Sequence, residues 1–216
     1  MHSFVKRHKQ LIILIALINF ILSPLWHDLM FIPNSLLTVI SFSLVIFASL
    51  NASEERILKI IVLAIGWMAL GIIWLEYGNH LALPLSVIRM FFSLLLFIVL
   101  FSILIRSVLK TEKIHLKIII NVMSGFILLG IVGGICFEIL DFFAPDSLAF
   151  ASPKTAYGFY YFSFINLTSV GFGDIIPNSP KAQALTVLLG VMGQFYLAFG
   201  VAVFVGKYLS HKNEHA

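Results

Sequence analysis

Seven consecutive residues, Thr168-Ser169-Val170-Gly171-Phe172-Gly173-Asp174, form a polar, glycine-paired strip inside a strongly apolar chain. Two glycines spaced by one residue let the backbone take positive φ at alternate positions. That alternation turns successive carbonyls to one side, and such a row of oxygens binds cations. Residue types alone give a cation and no more. A lone Gly-x-Gly is weak evidence, and a glycine-rich turn between helices is the plain alternative.

The elements around the strip narrow the choice. Residues 155–167 are apolar and aromatic, and as a helix they would be about 20 Å long, too short to cross the roughly 30 Å hydrocarbon core of a bilayer. This segment must therefore enter and turn back. Non-helical backbone is tolerated at that depth only where protein buries it or water reaches it, so the strip lines a cavity or pore. The C-terminal end of the short helix carries about half a negative elementary charge and points at the strip from the membrane interior. A segment long enough to span lies on each side, at about 114–142 and 181–209.

Composition sets the class. Of 216 residues, 60% are hydrophobic and 11% charged, with a mean hydropathy of +1.04; a soluble domain carries about 25% charged residues. The chain reads as an integral membrane protein with room for about six spans of roughly 20 residues and no sizeable soluble domain. Its formal charge of +4 is a matter of topology here and not of nucleic acid. Cys136 is the single cysteine, which excludes an intrachain disulfide.

The expected spans are about 9–26, 34–50, 57–75, 84–109, 114–142 and 181–209. Lys6, Arg7 and Lys9 precede the first, which reads as a signal anchor ending at Trp26; His27-Asp28 reads as a polar turn, and Ser53 as a helix cap. With the N-terminus inside, cytoplasmic ends collect Lys6, Arg7, Lys9, Arg56, Lys59, Arg106, Lys110, Lys113, Lys117, Lys207 and Lys212, whereas only Lys154 and Lys181 fall outside. Six crossings satisfy the positive-inside rule; five or seven break it. The same orientation gathers Asp28, Glu76, Asp141, Asp146 and Asp174 outside, an acidic mouth that would concentrate cations.

The strip resembles the selectivity filter of the potassium channel family, Thr-Val-Gly-Tyr-Gly followed by Asp. Here the filter reads Ser169-Val170-Gly171-Phe172-Gly173 between Thr168 and Asp174. The resemblance covers about 117–209, in the order outer helix, re-entrant helix, filter, inner helix. It implies that carbonyls of Ser169, Val170, Gly171 and Phe172, with the Ser169 hydroxyl at the innermost site, bind potassium, and that Thr168, Gly173 and Asp174 support them. Phe172 replaces the family's Tyr and lacks its hydroxyl. Tyr161 and Phe162 stand where the family usually has two tryptophans, so Asp174 needs another partner, and the Tyr161 hydroxyl is the candidate. Gly193 falls at the family's inner-helix gating hinge, with close helix packing as the alternative. Gln194 and Leu197, three residues apart on one helix face, are candidates to line the cavity.

The resemblance implies an all-α integral membrane fold of six transmembrane helices plus a re-entrant helix and an extended filter. It divides into a four-span region at 1–113, a pore module at 114–210 and a tail at 211–216. Four filters make the family's pore and this chain carries one, so a homotetramer in the cell membrane, both termini cytoplasmic, is implied. The expected activity is passive potassium conduction; the expected partners are further copies, potassium and membrane lipids, with no cofactor, no enzymatic activity and no nucleic acid. A weakly selective cation channel, a potassium-uptake transporter subunit and a non-conducting partner subunit are the alternatives. Arg89 is the one basic residue within the fourth span apart from its cytoplasmic end at Arg106, so steep voltage gating is not expected. The basic linker 106–117 reads as a topology signal or a contact for anionic lipid.

Overall fold

The computed structural model describes residues 2–30, 34–50, 56–78, 82–110 and 116–213. The expected cap at Ser53 and linker residue Lys113 lie outside them. The elements are α1 (His2–Ile21), α2 (Ser23–Met30), α3 (Asn34–Leu50), α4 (Arg56–Gly78), α5 (Ala82–Lys110), α6 (Leu116–Phe143), β1 (Leu148–Phe150), α7 (Ala156–Leu167), β2 (Ile175–Pro177) and α8 (Pro180–Asn213). Among them, Arg56–Glu76, Leu85–Lys110, Lys117–Phe143 and Pro180–Lys207 are long and apolar enough to cross a membrane. The apolar stretches described in α1 and α3, Gln10–Ile21 and Val39–Ser49, are shorter. Four expected spans thus have full apolar length.

The first expected span is broken where proline requires it. Pro24 has no N–H to give the carbonyl of Phe20 four residues back, and the Ser23 hydroxyl donates to that carbonyl instead, at 2.9 Å. The helix restarts as α2 and carries the backbone through His27 and Asp28. The expected polar turn at these two residues is therefore helix.

The chain divides into two compact units within α6, after Leu128. In the first unit α1 packs on α3, α3 on α4 and α4 on α5. Phe20, Phe42 and Phe97, from α1, α3 and α5, meet edge to face at centroid distances of 5.6–5.8 Å, a geometry the ring quadrupoles favour. Polar bonds between helices supplement this packing where lipid supplies no hydrophobic drive. Asn19 Nδ2 donates to Ser41 Oγ at 3.3 Å, Asn121 Nδ2 to Ser107 Oγ at 3.1 Å, and Arg89 Nε lies 3.0 Å from Glu76 Oε2.

The second unit holds the rest of α6, α7, α8 and a two-stranded antiparallel ladder that pairs Leu148 with Pro177, Ala149 with Ile176 and Phe150 with Ile175. This ladder is a small departure from an all-α fold. It ties the residues just after the strip to the loop that precedes α7.

Candidate functional site

Thr155 caps α7 from extended geometry, φ −127° and ψ 154°, its side chain accepting from the Gly158 amide at 3.2 Å. Inside the helix, Ser163 Oγ donates to the Gly130 carbonyl of α6 at 2.6 Å, and the Phe162 ring meets Phe137 edge to face at 4.8 Å. No Cβ would fit at Gly130, Gly133 or Gly134, which face Phe164, Ser163 and Tyr160. The glycines of α6 thus receive the aromatic short helix at close range.

At its C-terminus α7 passes directly into the strip. The amides of Thr168, Ser169, Val170 and Gly171 turn back to the carbonyls of Phe164 (3.0 Å), Asn166 (3.0 Å), Ile165 (2.9 Å) and Ile165 (3.2 Å). Thr168 Oγ1 donates to Phe164 O at 2.7 Å, so Thr168 fastens the start of the strip to the helix. The carbonyls of Phe164, Ile165 and Asn166 are occupied by these donors, so the negative end of α7 acts largely through aligned dipoles.

Beyond Thr168, at φ −87°, φ is positive at Ser169 (60°), Gly171 (55°) and Gly173 (78°), and at neither Val170 nor Phe172. Handedness alternates residue by residue. With the early amides held by α7, the carbonyls of Ser169, Val170, Gly171, Phe172 and Gly173 accept no hydrogen bond from any described residue. They form a row of unpaired oxygens. Val170 and Phe172 are 54% and 71% exposed, apolar side chains that this chain does not cover.

Asp174 is held from two directions. Its carbonyl accepts from the Ala151 amide at 2.9 Å, extending the β1–β2 ladder, and its carboxylate accepts from the Tyr161 hydroxyl. That hydrogen bond first, then burial and the carboxylate's charge, hold the Tyr161 phenol above its ordinary pKa. Lys154 pairs with Asp141 and lies over the Phe150 and Phe159 rings at 6.0 and 5.9 Å. The expected acidic mouth is thereby corrected: Asp141 is buried and paired, and Glu76 is paired with Arg89. Of the expected acids with described side chains, Asp146 and Asp174 remain exposed.

On α8, Gly193 is buried, and a Cβ there would strike the Leu167 carbonyl at the end of α7. Close approach alone accounts for the glycine. The next residue, Gln194, donates from Nε2 to Ser169 Oγ at 2.7 Å, joining α8 to the inner end of the strip. Leu197, also exposed, lies one turn further along α8. The structure thus gathers Thr168 to Asp174, Tyr161, Gly193 and Gln194 around one strip, whereas Phe162 packs on its far side against α6. Sequence reasoning missed the β1–β2 ladder and the Lys154–Asp141 pair; the β-branched pair Ile175-Ile176 before Pro177 was the available signal for the second strand.

Residues 125–210 match the family model described as ion channel. This segment is similar to ion channel domains. The match takes in most of α6, all of α7, the strip and nearly all of α8, and together with the four full-length apolar helices it points to a multi-pass membrane protein of an ion-transporting, non-enzymatic kind. No solved structure matches the chain.

Proposed function

We propose that the protein is a potassium-selective channel whose pore is assembled from four copies of this chain, with residues 168–174 as its filter. The observation that carries this reading is the alternation of positive φ at Ser169, Gly171 and Gly173, which leaves an unpaired row of carbonyls on one strand. One strand supplies one side of a coordination shell, and four strands around an axis complete it. The uncovered Val170 and Phe172 side chains, and the limited burial of α8, 22% of its apolar window, fit surfaces that neighbouring copies cover. Potassium over sodium follows from the likeness of the motif to the potassium channel filter. In this reading α1 and α3 complete six crossings in the cell membrane, the termini are cytoplasmic, and lipid surrounds the tetramer.

A weakly selective cation channel is the second reading. Phe172 has no hydroxyl and its ring is 71% exposed, so within one chain the upper filter is braced mainly through Asp174. Purified protein in liposomes decides between them. Barium-sensitive potassium flux with a reversal potential that follows potassium in mixed potassium and sodium supports selectivity; a reversal potential near zero supports the second reading, and absence of flux overturns both.

A further inference from the structure

The contact between Gln194 and Ser169 has a chemistry that the filter reading does not use. Because Gly193 lets α8 lie directly on the Leu167 carbonyl, the following side chain reaches the first residue of the filter, and Gln194 Nε2 donates to Ser169 Oγ at 2.7 Å. Ser169 is fixed from its other side, its backbone held at φ 60° and its amide on the Asn166 carbonyl at 3.0 Å. The Gln194 amide thus holds the hydroxyl oxygen at the start of the carbonyl row.

A serine hydroxyl offers two lone pairs and one proton. The Gln194 amide occupies one lone pair, so a cation reaching this oxygen finds the other. The same amide carries Oε1, an acceptor with two lone pairs that takes no hydrogen bond from any described residue. Donor and acceptor share one rigid plane, so anchoring Nε2 on Ser169 also fixes Oε1 beside the inner end of the carbonyl row.

We propose that Gln194 is a specificity-determining residue of the innermost cation site, drawing one lone pair of the Ser169 hydroxyl away from the ion and presenting its own Oε1 as a replacement ligand. The inference rests on the channel reading of the filter. The innermost site is then built from α8 as well as from the filter, and a displacement of α8 changes the ligands an ion meets there.

A double-mutant cycle tests this on the full chain in planar bilayers, with block by internal barium as the probe of the inner site. Gln194→Leu and Ser169→Ala should each change barium affinity, and the double mutant should depart from additivity by about two- to tenfold, the span of one hydrogen bond of ordinary net strength. Additive effects overturn the proposal, as does a Gln194→Leu channel whose barium affinity and potassium-to-rubidium permeability ratio match those of the unmodified channel. If Gln194→Leu does not assemble, Gln194→Glu replaces it in the cycle, since it keeps the size and loses the donor; additivity there has the same meaning. An unmodified protein that carries no potassium current overturns the channel reading and the inference with it, whereas a conducting protein with an additive cycle overturns the inference alone.

Discussion

Tyr161 of α7 donates its hydroxyl to the carboxylate of Asp174, bridging the middle of the short helix to the residue that closes the strip. In the proposed filter this single phenol would take the place of the two indole donors that the potassium channel family usually has behind its own. Tyr161→Phe should therefore lower potassium selectivity and shorten openings while leaving assembly intact. The measurement is the reversal potential in mixed potassium and sodium, with tetramers followed by size-exclusion chromatography. A variant as selective as the parent would mean that the β1–β2 ladder holds Asp174 by itself.

The same pair sets a pH dependence. The hydrogen bond and the neighbouring charge raise the Tyr161 pKa, so the phenol donates at all pH values below its ordinary pKa of about 10. Its contribution is complete there and is lost as pH rises through the elevated folded value. Selectivity should hold up to external pH of about 10 and fail above it, and Tyr161→Phe should abolish that alkaline transition. The readout is reversal potential as a function of external pH.

Gly171 and Gly173 have open space where a Cβ would sit in one chain, yet both have positive φ, 55° and 78°. The penalty for alanine is thus backbone strain, roughly 1–2 kcal/mol for each residue held left-handed. Gly171→Ala or Gly173→Ala should abolish potassium flux in liposomes with tetramers preserved. Normal flux in either variant rules the filter assignment out.

How far the sequence carried depends on the range of the interaction. The bounds of α3, the too-short α7 and the glycine-paired strip were legible because each rests on residues that are neighbours in sequence. The β1–β2 ladder was not, because strands of three residues show no period. Gln194 with Ser169 and Lys154 with Asp141 were not, because nothing local in 25 or 13 residues of separation says that two side chains meet. Charge counting placed Asp141 in an acidic mouth and could not see that Lys154, itself counted as an outside residue, neutralises it. The interruption at Pro24 was local and legible in principle: a helix was ended after Trp26 on aromatic grounds, when the missing proline donor breaks it sooner.

The Lys154–Asp141 pair yields a stability prediction. Asp141 is 8% exposed, and its Oδ1 has no hydrogen-bond partner among the described residues. Lys154→Met leaves that carboxylate buried without its cation, at a cost of about 1–3 kcal/mol. The thermal unfolding midpoint of the protein should fall accordingly, and Lys154→Met combined with Asp141→Asn should recover most of the loss. Equal stability of Lys154→Met and parent would make the pair a surface contact of no consequence.

Arg89 bears on gating by voltage. Its Nε lies 3.0 Å from Glu76 Oε2, with the two side chains 20% and 22% exposed, and a pair that moves together carries no net charge across the field. Even a freed arginine could draw only about 2.3 kcal/mol from 100 mV, against the several charges per subunit that steep gating requires. The conductance–voltage relation should be shallow. Arg89→Gln should leave its slope unchanged while lowering thermal stability, because the half-buried Glu76 is then left without its cation. A steep relation that flattens in Arg89→Gln would show instead that Arg89 leaves Glu76 and moves, and that the first unit senses voltage.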